Sequence, residues 1–155
     1  MADQRRLIGY VTVREFAGFR LPVPVQNLVL RNYSQTVQLS YALPQCEHKY
    51  RGSFMQLFTT LHDAAPDDHV AMCSTAMLPP AGALREEALS LVRAKRVTLH
   101  FVFDRLIVAG DDDVRRFEDA ERIAGEVRRV DGAAVGREVE QFLRQHGAAD
   151  RGGVG

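Results

Sequence analysis

The chain has 155 residues, 46% of them hydrophobic and 26% charged, with twenty basic residues balancing twenty acidic ones. That length carries one domain whose core needs no disulfide staples, and the zero net charge excludes a general nucleic-acid or anionic-membrane binder. No run reaches transmembrane length, so the expectation is a cytoplasmic protein without a membrane partner, in which Cys46 and Cys73 are free thiols.

Residues 7–13 are an apolar run that reads as a buried strand, and Gly9 inside it marks a close approach by another backbone or a ligand. The stretch Arg20-Leu-Pro-Val-Pro-Val-Gln-Asn27 comes next. Prolines at 22 and 24 suit an extended approach to the first turn of a helix, which puts Arg20, Gln26 and Asn27 on the connection after the first strand. Val25, Leu28, Val29 and Tyr33 recur at helical spacing until a polar break at 34–36. Val37, Leu39, Tyr41 and Leu43 then alternate as a second strand, which Pro44 is expected to stop, and 45–52 reads as a polar loop. Ser53 is a plausible N-cap for a helix carrying Phe54, Met55, Leu57, Phe58 and Leu61 on one face.

A short third strand spans 69–74, a proline-containing loop 75–82 and a helix 83–94. The clearest strand is 97–103, and 106–109 can add a fifth. Gly110 and three aspartates open a long helix with Val114, Phe117, Ala120, Ile123, Ala124 and Val127 in one stripe. A last amphipathic segment carries Val135, Val139, Phe142 and Leu143. The domain is read as residues 1–146, with 147–155 a flexible Gly-rich tail. The last two stripes exceed what a small sheet can cover, so a homo-oligomer is expected. Strands alternating with helices imply right-handed crossovers and a three-layer α/β domain with a mostly parallel sheet of four to five strands.

In a parallel sheet every loop that follows a strand emerges at the same edge. Those loops carry Arg14 and Glu15, then Glu47 and His48, then Ser74, then Asp104 and Arg105, and the first connection adds Arg20, Gln26 and Asn27. Such a rim can bind a polyhydroxylated or phosphorylated ligand and move protons on it. Taken singly, Arg14, Glu15, Asp104 and Arg105 are as well explained as solvated loop ends; their convergence makes the group a candidate site. Met77-Leu-Pro-Pro80 either packs under the next helix or forms the apolar wall of a pocket.

Other chemistries find less support. Cys46-Glu47-His48 cannot all chelate from one regular strand, because neighbours point to opposite faces, so no metal is expected. His62 and His69 flank a turn and read as surface histidines, while His100 lies mid-strand and reads as a satisfied buried imidazole. Ser74 lacks a Gly-x-Ser-x-Gly elbow and is better placed as a hydrogen-bond donor than as a nucleophile. Without a Gly-x-Gly-x-x-Gly after the first strand, or a Gly-Lys-Ser/Thr anywhere, neither a dinucleotide cofactor nor a P-loop is expected. Any phosphate would need arginine.

Two resemblances follow from these residues. Gly9-Tyr-Val-Thr-Val-Arg14, a helix with Gln26 and Leu28, and the later run 97–104 are similar in order to the catalytic domain of serine recombinases. That implies a resolvase-like sheet, related in plan to flavodoxin-like folds. The position of that family's serine nucleophile falls near Arg14 and Glu15, which argues against recombination. The chain more closely resembles the sporadic carbohydrate-cluster proteins, a family of small proteins encoded among genes for surface polysaccharides and other sugar-derived products. Gly9-Tyr10, Gly18, Arg20, the run 22–33, Glu47, Gly52, Ser74, Met77-Leu-Pro79 and Asp104 carry the match. It departs at Glu47-His-Lys-Tyr-Arg-Gly52 and at Cys73, where the family usually has an aromatic residue.

This resemblance implies a place in carbohydrate or sugar-derived natural-product biosynthesis and no particular reaction; with the polar rim, the expectation is an enzyme, an isomerase, epimerase or lyase acting on a sugar or sugar nucleotide without a redox cofactor. Glu47 would be the general acid or base, Asp104 its counterpart and Arg20 the anion clamp. Gln26, Asn27 and Ser74 would orient the substrate, with Arg14 and Met77 also in contact with it. The rival expectation is a non-catalytic accessory protein docking onto a biosynthetic enzyme. A degenerate recombinase-like DNA binder is a third.

Overall fold

The computed structural model describes residues 5–128 together with residues 141 and 144. The elements are β1 (Arg6–Thr12), α1 (Val23–Thr36), β2 (Ser40–Glu47), α2 (Met55–Asp63), β3 (His69–Met72) and one 3-10 turn (Thr75–Met77). After them come α3 (Ala83–Lys95), β4 (Thr98–Phe101), β5 (Leu106–Val108) and α4 (Gly110–Arg128). The sheet order is β2-β1-β3-β4-β5; β1 to β4 run parallel and β5 is antiparallel to β4. With β2 to one side of β1 and β3 to the other, the strand order reverses between β1 and β3. Open α/β sheets form their ligand crevice at the carboxyl ends of the strands at such a point.

Side-chain alternation on β1 assigns the layers. Gly9 faces α1, where a Cβ would come within 2.8 Å of the Tyr41 hydroxyl, 3.0 Å of Pro44 Cβ and 3.3 Å of Leu30. Tyr10 faces the other side and is fully buried beneath α2. Leu57 and Leu61 of α2 and Leu89 and Val92 of α3 are buried in the same core, each contributing about 1.5–3 kcal/mol of transfer free energy. Phe101 on β4 stacks on Phe117 of α4 with ring centroids 5.8 Å apart. The close approach expected at Gly9 is therefore made by side chains of the neighbouring strand and helix.

Several boundaries differ from the sequence reading. Helix α1 starts at Val23 with Pro24 in its first turn, where a missing N–H is harmless, and it runs through the polar residues 34–36. Within it the buried Ser34 hydroxyl is satisfied by donating to the Arg31 carbonyl one turn back. Pro44 does not stop β2, which continues to Glu47. β2 is an edge strand, and its register against β1 slips between Ile8↔Ala42 and Tyr10↔Gln45, so Pro44 falls at an irregularity that requires no donor. Glu47 thus ends a strand instead of riding on a loop.

The contacts define one compact unit, Met1–Phe117, and a second, Glu118–Gly155. In α4 the expected stripe is buried at Val114 and Phe117, whereas Ile123 is 60% exposed. Val135, Val139, Phe142 and Leu143, and the boundary expected at residue 146 with the tail beyond it, lie outside the described residues. Cys46 and Cys73 are free thiols, the first exposed and the second buried. Among the described residues no helix is long and apolar enough to cross a membrane.

His100 is buried and satisfied as expected, with Nδ1 2.7 Å from the Tyr33 hydroxyl and Nε2 2.8 Å from His69 Nδ1. His69 is accordingly a half-buried partner and not a surface residue. Burial, reinforced by the neighbouring imidazole, lowers the His100 pKa to about 4, and burial lowers that of His69 as well.

Candidate functional site

A cleft of about 660 Å³ opens at the reversal point, against Thr12 at the end of β1 and Ala76 and Met77 in the turn after β3. Its walls bring in Arg14 and Arg20 from the β1–α1 connection, Lys49 and Arg51 from the β2–α2 connection, and Arg85 from the first turn of α3. Against these five cations stands one lining carboxylate, Glu15. None of Arg14, Arg20, Lys49 and Arg51 forms an ion pair with a described residue. Like charges gathered in a concavity raise the local concentration of anions and leave donors for a charge-assisted contact.

Arg14 is held in place by neutral groups. Its backbone N–H and Nε donate to the Thr12 hydroxyl at 3.1 and 3.4 Å, and Nη1 donates to the Tyr50 carbonyl at 3.1 Å. Its guanidinium carbon sits 4.8 Å from the Phe54 ring centroid, a stacking that fixes the plane and keeps the charge. Arg85 donates through Nε to the Pro79 carbonyl at 2.7 Å.

Of the residues expected at the site, Arg14, Arg20 and Met77 line this cleft. Of the other five, Glu47, Gln26, Ser74 and Asp104 hold the elements around it, and Asn27 bonds instead to the neighbouring strand. Glu47, only 2% exposed, receives hydrogen bonds from the Tyr10 hydroxyl at 3.0 Å, His48 N–H at 2.9 Å and Ser53 hydroxyl at 3.4 Å. Gln56 and Leu57 N–H groups in the first turn of α2 also donate to it, at 3.1 and 3.2 Å. Glu47 therefore caps α2 from outside the helix, replacing the expected Ser53 cap, since no side chain at Phe54, the N-cap position, does so. Burial, with the charge and hydrogen bond of Glu47 adding, pushes the Tyr10 phenol far above its ordinary pKa, so Tyr10 stays a neutral donor.

Gln26 is fully buried and closes the end of β1 onto α1: its carbonyl accepts from Thr12 N–H at 3.1 Å, and its amide donates to Thr12 and Leu21 carbonyls, both at 2.7 Å. Asn27 accepts from the Tyr41 hydroxyl at 3.2 Å on the face of α1 turned to β2. Ser74 accepts from Ala76 N–H at 3.2 Å, and Asp104 accepts from Thr75 N–H at 2.7 Å. Those two bonds hold the turn that carries Met77 into the cleft. Among the described residues no group of three or more His, Cys, Asp or Glu side chains is placed to share a metal ion.

Sequence reasoning passed over Lys49, Arg51 and Arg85 as site residues. Lys49 and Arg51 lie where the chain departs from the carbohydrate-cluster pattern, in a loop already assigned to the ligand edge, and that coincidence was the available signal.

The fold and cleft together define an α/β protein of resolvase-like architecture with a cationic pocket at its sheet edge. Comparison agrees on the architecture: the N-terminal catalytic domain of TP901-1 integrase superposes with a TM-score of 0.52 over 80% of this chain and 98% of that one, at 13% identity. Identity that low shows the fold alone. No family model matches the chain, and no curated protein does.

Proposed function

We propose that this chain binds a sugar nucleotide or related phosphorylated sugar in the cationic cleft and performs acid–base chemistry on it, as an isomerase, epimerase or lyase of carbohydrate or sugar-derived biosynthesis. One observation carries the reading: five cations from three separate segments converge on one concavity at the switch point. The sugar rests on the sequence resemblance, and the phosphate rests on the cleft. The total charge of the chain is zero, so the positive field is local and suits a small anion better than duplex DNA.

Glu47 spends both oxygens on the α2 cap, so in this reading the proton-transferring group is Glu15, the carboxylate in the lining. Lys49 and Arg51 are exposed and can be reversed without disturbing the core. Each charge-assisted contact contributes about 1.5–3 kcal/mol, so Lys49→Glu with Arg51→Glu should weaken pyrophosphate binding at least about a hundredfold in calorimetric titration, and rising salt should weaken the original protein too. Affinity unchanged by the double reversal would end the proposal.

A second reading, a non-catalytic partner of a biosynthetic enzyme, is favoured by large apolar side chains left exposed on α1 and β2. Leu28 on α1 is 68% exposed and Leu43 on the edge strand 80%. Glu15→Gln separates the readings: an enzyme loses turnover with ligand binding retained, whereas a non-catalytic accessory protein shows no turnover with either residue.

A further inference from the structure

A second concavity, of about 580 Å³, lies against α2 and the first turn of α3 and shares Arg51, Gly52 and Phe54 with the cationic cleft. We infer that it receives the base of a nucleoside diphosphate ligand, held by stacking and apolar contact without recognition of which base it is. The inference rests on the anion-binding reading above and extends it by assigning the end of the ligand beyond the diphosphate.

The character of the groove differs sharply from that of the cleft. Phe54 and Phe58 provide rings, Met55 a polarizable thioether and Leu84 a branched alkyl group. Met55 is 65% exposed and Leu84 44%, so both keep apolar surface that a flat ligand would cover. Every base has a π face, which makes stacking indifferent to identity. A groove that read the base would present fixed donor–acceptor pairs to its edge. Among the described residues that line it there is no carboxylate and no carboxamide; beside Arg51 its side-chain polar groups are the Ser53 hydroxyl, which donates to Glu47, and the Thr59 hydroxyl, which can rotate to donate or accept.

The Thr59 hydroxyl also decides against a hydrocarbon tail as the occupant. A chain laid over it would exclude water and offer no partner, at a cost of about 1–3 kcal/mol for the hydroxyl left unsatisfied. The edge of a base supplies both donors and acceptors. Arg51, at the junction of the two concavities, is placed to hold the phosphate nearer the nucleoside. The rest of the ligand then points toward Glu15 and Met77.

The test is calorimetric titration of the full chain with pyrophosphate, ADP, GDP, CDP, UDP and geranyl diphosphate. All four nucleotides should bind at least about tenfold tighter than pyrophosphate and within about tenfold of one another. Phe58→Leu, which keeps apolar volume but removes a ring, should abolish that gain and leave pyrophosphate affinity unchanged, the latter also confirming an intact fold. Met55→Ala, at an exposed position, should lose part of the gain. Nucleotides no tighter than pyrophosphate, one base preferred beyond tenfold, or an equal gain for geranyl diphosphate that survives Phe58→Leu would each overturn the inference while leaving the anion-binding reading intact. Failure of pyrophosphate and nucleotides alike to bind would instead overturn that reading, and this one with it.

Discussion

Replacing Glu47 by Gln tests whether the carboxylate is a cap or a catalyst, because the two roles predict opposite losses. As a cap, its two oxygens accept from the N–H groups of His48, Gln56 and Leu57 and from the hydroxyls of Tyr10 and Ser53. Gln turns one oxygen into an NH2 donor, which opposes at least one of those backbone N–H groups whichever way the amide is turned. A buried N–H left without an acceptor costs about 1–3 kcal/mol, and the lost attraction between a partly buried negative charge and a helix N-terminus adds up to about 2 kcal/mol. The sum is about 1–5 kcal/mol, or a fall in melting temperature of about 4–20 °C for a unit of this size. Tyr10→Phe removes one donor and leaves the rest, so it should cost only about 1 kcal/mol. Urea unfolding followed by circular dichroism reads both variants. A Gln variant within about 1 kcal/mol of the original protein would refute the cap, and if it also turned over about a hundredfold more slowly, the acid–base role would return to Glu47.

Three further outcomes are expected. The His100 pKa is lowered by burial to about 4, so the neutral ring contributes stability that is present above pH 6.5 and is lost as the pH falls toward 4. The loss should be about 3 kcal/mol, and in His100→Asn, which still faces Tyr33 and His69, the unfolding free energy should decline less over that range. Gly9→Ala should destabilise by about 1–3 kcal/mol, because its Cβ meets Tyr41 and Pro44 at 3.0 Å or less, whereas Gly9→Ala with Tyr41→Phe should recover part of the loss in thermal melts. Sedimentation at micromolar concentration should show a dimer or larger assembly, with Ile123→Glu, at the exposed position of the α4 stripe, shifting it toward monomer; a monomeric original protein would remove the homo-oligomer.

The parts of the fold legible in the sequence were those set by local pattern. The apolar runs of β1 and β4 and the periodic faces of α1 and α2 follow from side-chain pattern and 3.6-residue spacing, so they required no knowledge of neighbours. Pro44 was misjudged because its tolerance depends on β2 being an edge strand with a register slip, a property of the assembled sheet. The edge that bears the cleft was legible for a related reason: parallel pairing sends every strand-following loop to one side. Which residues on that edge reach the cleft was not. Glu47, Gln26 and Asp104 have the chemistry of ligand-binding groups, and only burial and backbone geometry show that they hold α2, the β1–α1 connection and the 3-10 turn in place. Lys49 and Arg51, exposed and basic, look like any solvated loop until the β2–α2 connection is seen to fold over the end of β1.

The most direct measurement of the central claim is a crystal structure of the protein soaked with a nucleoside diphosphate. The account predicts both phosphorus atoms among Arg14, Arg20, Lys49 and Arg51, beside the carboxyl end of β1. A ligand bound elsewhere, or a cationic cleft still filled only by solvent at saturating nucleotide, would contradict it.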